Sequence, residues 1–184
     1  MRRKSTKMII LIALMAFVIG ASSAFADSDS TDHDINLNVS EIAVLGLNND
    51  NSITLSTPGK VAAGALPTAV DTDSSKYLKY TSVVGGTATR SITVALGETG
   101  VPAGTQLTIE ADDASTTQDG TPASVITLSS TAASLITGIS SCATGTDATD
   151  GANLTYSYSV TDVTALLDSA DATVTVTFTL GDDS

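Results

Sequence analysis

The chain holds one cysteine, one histidine and no tryptophan among its 184 residues, and each scarcity closes a class of chemistry. Cys142 alone can form no intramolecular disulfide. Zinc sites built from cysteine and histidine fail on the same count. A Ser/His/Asp or Cys/His constellation needs an imidazole held rigidly beside its nucleophile. His33 instead sits in Asp-Ser-Asp-Ser-Thr-Asp-His-Asp, which has no apolar residue to anchor it. Aromatic residues make up 4% of the chain, too few for the flat platform of a sugar-binding face. Positive charge is equally scarce, with 8 basic residues against 20 acidic ones. Four of the basic residues, Arg2, Arg3, Lys4 and Lys7, precede every acidic one, so the chain from Asp27 onward carries 4 against 20, a net charge of −16. Nucleic acid and anionic membrane are repelled by such a body, and neither is expected as a partner.

The basic cluster has its own meaning. It precedes an almost continuous apolar run over 8–20 and the small residues of Ala24-Phe25-Ala26, the pattern of a secretory leader cleaved after residue 26. The run is short for a bilayer span and is interrupted by Gly20, Ser22 and Ser23, so no membrane insertion is expected once the leader is removed. The protein is therefore expected to be secreted, working outside the cell or at its surface. Residues 27–34 read as a flexible acidic lead-in. Residues 35–184 have the length of one domain that buries a core without a metal or disulfide.

Within that domain, Val, Ile and Leu recur at alternate positions and form no helical stripe. The clearest strand covers 153–161, with Leu154, Tyr156, Tyr158 and Val160 on one face and Thr155, Ser157, Ser159 and Thr161 on the other. Its expected partner is 172–180, with Val174, Val176, Phe178 and Leu180 inward and threonines outward. Between the two, 162–168 resembles one helical turn entered through an Asp162 cap. Further period-two patterns lie at 35–39, 53–55, 77–83, 92–96, 107–111 and 125–128, separated by Gly, Pro and Asn turns. Residues 60–75 read as a long surface loop. About eight short strands at this spacing describe a sandwich or barrel, and the fold expected is all-β, an antiparallel β-sandwich of immunoglobulin-like or pilin-like type.

Candidate sites are few. Calcium stays open, because hard cations take carboxylates and carbonyls. Its weak candidates are Asp112 and Asp113 with Glu110, Asp147 with Asp150, and Asn49-Asp50-Asn51, none with the spacing of a known calcium loop. No cofactor is expected. Glu98 and Glu110 could form a glycosidase pair only if the fold brought them together. Chemistry being scarce, the chain is expected not to be an enzyme, and assembly becomes the leading reading. Ile35, Leu37 and Val39 alternate with Asn36, Asn38 and Ser40, and apolar character continues through Ile42 and Val44 after a phase shift near Glu41. A strand of this kind on a flexible tether can pair within its own molecule or with a neighbour's open edge, since both satisfy the same backbone groups.

The leader, the acidic lead-in, the alternation Ile35-Asn36-Leu37-Asn38-Val39 and the Thr/Val-alternating last strand together resemble fimbrial or biofilm-fibre subunits that polymerise by donor-strand complementation. The likeness spans the architecture of residues 27–180 and includes no diagnostic motif. It implies a structural subunit of a surface fibre, a pilus-like or biofilm-matrix assembly, whose partner is another copy of itself. Ile35, Leu37, Val39, Ile42 and Val44 would be the exchanged strand. The alternative is a monomeric secreted module, adhesive or ligand-binding, that depends on calcium.

Overall fold

A computed structural model describes residues 31–57, 61–114, 119–167 and 172–183 of the chain. The expected leader over 1–26 lies outside the described residues. Two compact units are distinguished, Met1–Asn38 and Val39–Ser184. The described part of the first, 31–38, has no regular secondary structure, and every side chain in it is exposed.

The second unit is all-β. Among the described residues it contains β1 (Ile42–Leu47), β2 (Asp71–Val83), β3 (Arg90–Leu96), β4 (Thr105–Ala111), β5 (Thr121–Pro122), β6 (Ile126–Thr127), β7 (Ala133–Ile139), β8 (Cys142–Ala143), β9 (Ala152–Val160) and β10 (Val176–Asp182). No described helix is long and apolar enough to cross a membrane. All pairings are antiparallel. One sheet runs β1-β2-β9-β4-β6, with β8 also pairing β2, and the other runs β10-β3-β7-β5. One of the sheets is strongly curled.

Alternation sets the core. Leu78 and Tyr80 of β2, Ile92, Val94 and Leu96 of β3, Leu107 and Ile109 of β4, and Leu154 and Tyr156 of β9 are buried, and with Leu135, Ile136 and Ile139 of β7 they form one apolar cluster drawn from both sheets. Burying each large side chain contributes about 1.5–3 kcal/mol. The Tyr80 hydroxyl donates to the Asp119 carbonyl at 2.6 Å, which satisfies the one polar atom this ring carries into the core. Burial pushes the phenols of both Tyr80 and Tyr156 well above the usual tyrosine range, and the charge of Asp119 adds to the effect at Tyr80.

Several sequence expectations hold. β3, β4 and β9 lie where period two places them. A 3-10 turn at Val163–Ala165 is entered through Asp162, whose carboxylate accepts from the Thr164 amide at 2.9 Å and the Thr164 hydroxyl at 2.6 Å. Those bonds hold the Asp162 carboxyl below the usual carboxylate range. Gly151 opens β9 with φ of +95°, and a Cβ there would fall onto the Leu78 carbonyl oxygen, so only glycine suits the position.

Others are corrected. The final strand, β10, pairs with β3, while β9 lies between β2 and β4. Alternation fixes which face of a strand is buried but leaves its neighbour open, and both edges of β9 are taken by strands distant in sequence. The expected strand at 35–39 is not formed, and the first ladder begins at Ile42, where Leu45 and Leu47 can pack against the core. Residues 71–75, expected in a loop, are the start of β2, which reaches β9 through a register shift between Asp73 and Lys76. Residues 53–55 form no strand, although Ile53 and Leu55 pack on the core. Of 125–128, Ile126–Thr127 form the short strand β6, and the Leu128 amide donates to the Leu107 carbonyl of β4 at 2.9 Å.

β7 escapes a period-two reading because Leu135 and Ile136 are adjacent and both buried. Against β3, Arg90 faces Ile139 and Ile92 faces Ile136, so β7 carries an extra residue there. Gly138, with φ of +71°, supplies the left-handed backbone such a bulge needs.

Candidate assembly edge

β1 is the end strand of its sheet, and among the described residues no strand pairs with its outer side. Antiparallel pairing with β2 aligns Ile42 with Val83 and Leu47 with Leu78. The alternation divides β1 in two. Leu45 and Leu47 are half-buried against the core, whereas Ile42 and Val44 are exposed on the other face. Ahead of β1, Ile35, Leu37 and Val39 are 69%, 89% and 83% exposed, with the 72% of Leu167 the largest exposures among the described large apolar side chains. Of the five residues expected to form an exchanged strand, two therefore lie in β1, paired within the chain, and three stand outside any ladder.

The start of β1 is fixed by a buried arginine that the strand pattern does not single out. Arg90, on β3, is only 5% exposed. Its Nη1 donates to the Ile42 carbonyl at 2.5 Å, to the Val83 carbonyl at 3.2 Å and to Ser82 Oγ at 3.4 Å. Nε donates to Asp182 Oδ1 at 2.9 Å and Nη2 to Glu41 Oε2 at 3.5 Å. One guanidinium thus ties the entry of β1 and the end of β2 to the end of β10, across the two sheets. A rigid planar fork with five donors suits that task. Its signal in the sequence is a basic residue starting an apolar alternation, Arg90-Ser91-Ile92-Thr93-Val94.

The far end of β1 is held differently. Asn48 continues the ladder, its amide donating to the Tyr77 carbonyl at 3.0 Å while its side-chain oxygen accepts from the Tyr77 amide at 3.1 Å. The buried Lys76 ammonium donates to Asn49 Oδ1 at 2.6 Å, to the Asn49 carbonyl at 3.3 Å and to the Asn51 carbonyl. The oxygens of Asn49 and Asn51, weighed as calcium donors, thus surround the chain's own cation. Three acceptors match the three donors of an ammonium.

The other calcium candidates are separate from one another. Asp112 and Asp113 follow β4 with exposed side chains. Asp147 and Asp150 close a turn on themselves, the Asp147 amide donating to Asp150 Oδ2 at 2.7 Å and the Asp150 amide to the Asp147 carbonyl at 3.0 Å. Among the described residues no three His, Cys, Asp or Glu side chains are gathered as metal ligands. Glu110 is exposed on β4, and Glu98 lies in the loop after β3. Cys142 is half-buried in β8, and burial, followed by the Asp119 carboxylate, pushes its thiol up, which makes it a poor nucleophile.

A shallow groove of about 290 Å³ runs along β1 and β2, lined by residues 44–47 and 79–81 with Gly145 and Thr146. Lys79, the only charged side chain in that lining, is turned to the Thr146 carbonyl at 3.1 Å. The Tyr80 phenol of this lining donates to the Asp119 carbonyl in the core, so no acid-base partner faces Lys79 and the groove offers backbone and apolar contact more than acid-base chemistry. Compared with known proteins, the chain matches no family model, no curated protein and no solved structure.

Proposed function

We propose that this is a non-catalytic structural protein of the cell exterior, exported by a cleaved leader over residues 1–26, whose copies join by exchange of the N-terminal segment. In this reading the two sheets make a β-sandwich, and the protein is similar in architecture to fimbrial or biofilm-fibre subunits. The observation that carries it is the state of Ile35, Leu37 and Val39. They alternate with polar residues in strand fashion, stand more than two-thirds exposed and belong to no ladder. An apolar alternation is costly to leave in water and gains most when a sheet edge receives it. Contacts of this kind join unlike surfaces, so copies continue into a filament unless the chain of contacts closes on itself. The surplus of acidic residues keeps the outer faces of neighbouring copies soluble and directs association to backbone pairing.

The test is the size distribution of the purified protein by analytical ultracentrifugation, with calcium and with chelator. A series of oligomers that persists in chelator is the expected result. A single monomer species under both conditions contradicts the proposal. A monomer whose thermal midpoint rises with calcium favours the calcium-dependent module instead.

A further inference from the structure

Among the described residues the two sheets run out to β1 and β6 and to β10 and β5, with the two-residue β8 beside β2, and these edges are not equivalent. β5 and β6 are two residues long, and β5 contains Pro122, which has no amide to offer. Short strands and proline are the usual protection of an edge against pairing. At the other ends, β1 has six residues and β10 has seven, without proline in either. These two long edges touch each other, so both open edges lie on one side of the Val39–Ser184 unit.

β10 is the less completely covered of the neighbouring strands in its sheet. Its core-facing Val176, Phe178 and Leu180 are only half-buried, while Ile92, Val94 and Leu96 of the adjacent β3 are at most 6% exposed. The apolar layer thus extends one strand beyond the point where it is sealed. On the outer face, Thr177 and Thr179 are exposed. The segment before β1 has the matching composition, with three apolar residues, Ile35, Leu37 and Val39, at period two and Asn36 and Asn38 between them. Laid beside β10, it sets three apolar side chains next to three and polar next to threonine. β1 is less suited as acceptor. Ile42 and Val44 leave apolar groups on the outward face where the donor carries asparagine.

Resting on the strand-exchange reading above, we infer that the acceptor is the outer edge of β10 on a second copy of this chain. Assembly is then directional, with each copy giving residues 35–39 and receiving the same segment along β10, while the β5 and β6 edges stay out of contact.

Cysteine pairs test the placement. In a Cys142→Ser background, Asn36→Cys is combined in turn with Thr177→Cys or Thr179→Cys on β10, with Val44→Cys on β1, and with Thr127→Cys on β6, all at exposed or outward positions. Cross-linking needs Cα atoms within roughly 7 Å, so only adjacent strands respond. The purified full chain is oxidised and read on non-reducing gels. A covalent ladder from one of the β10 pairs, at least about tenfold stronger than from the β1 and β6 pairs, is the expected result. A ladder from the β1 or β6 pair overturns the β10 assignment but leaves strand exchange standing. A cross-link confined to single chains overturns the second copy as donor. Oligomers by ultracentrifugation without a ladder from any pair overturn β10 as acceptor alone, whereas monomers without a ladder remove strand exchange as well.

Discussion

Replacing Leu37 and Val39 together with aspartate abolishes self-association and leaves the Val39–Ser184 unit folded. Each of these side chains is more than four-fifths exposed, so its loss removes little from the isolated chain. Surface substitutions of this kind stay within about 0.5 kcal/mol, equivalent to roughly 2 °C in the thermal midpoint of a domain this size. In the assembly the account differs. Two apolar side chains that would gain about 1.5–3 kcal/mol each on burial are lost, which weakens each contact by roughly 10² to 10⁴. Two carboxylates would also have to leave water, which raises the penalty further. Sedimentation and thermal unfolding on the same samples separate the two effects. Loss of association with an unchanged midpoint is the expected outcome. Association that survives both aspartates contradicts a role for this segment.

Arg90→Met carries the largest expected effect on the fold itself. The side chains of Glu41 and Asp182 are 68% and 80% exposed, so the Coulomb part of these ion pairs is small and screened by salt. What matters more is the set of bonds from a buried guanidinium to the Ile42 and Val83 carbonyls and to Ser82, which Met cannot make. Bonds from a charged donor are worth about 1.5–3 kcal/mol, and the carbonyls left behind lose their partner. A destabilisation of about 2–4 kcal/mol follows, roughly 5–15 °C in the midpoint, measured by denaturant and thermal unfolding. Arg90→Lys recovers little of it, because an ammonium cannot fork across three chain segments. Glu41→Gln, by contrast, costs under about 1 kcal/mol. If Arg90→Met and Glu41→Gln proved equally mild, the guanidinium would not be holding the entry of β1.

What the sequence reveals about this molecule follows from the physics of a strand. Period two identifies buried faces, so 92–96, 107–111 and 153–160 are legible at once, as is the turn capped by Asp162. Pairing partners are not, because the same alternating strand satisfies any edge of matching length. β10 was expected beside β9 and lies beside β3. A bulge hides a strand altogether when it puts Leu135 and Ile136 next to each other in the core, as in β7. Polar strand ends are hidden as well. Asp71 to Ser75 read as a loop because their composition is that of a turn, yet Asp71, Thr72 and Asp73 pair with β9, and Ser74 and Ser75 fall in the register shift that follows. The apolar alternation at 35–39 was legible and remains outside any ladder within its own chain. Arg90 and Lys76 were hard to read as buried groups, since beyond the apolar alternation that Arg90 heads no sequence pattern marks a cation whose acceptors are backbone carbonyls contributed by other strands and loops.

The central claim is that residues 35–39 are a strand awaiting a partner copy. Amide hydrogen exchange across this segment tests it most directly, measured at a dilution where the protein is monomeric and again in the assembled state. The account predicts fast exchange at Leu37 and Val39 in the monomer and strong protection on assembly, with Val176, Phe178 and Leu180, whose amides face the outer edge of β10, gaining protection in parallel. Fast exchange in both states, or protection already complete in the monomer, would contradict it.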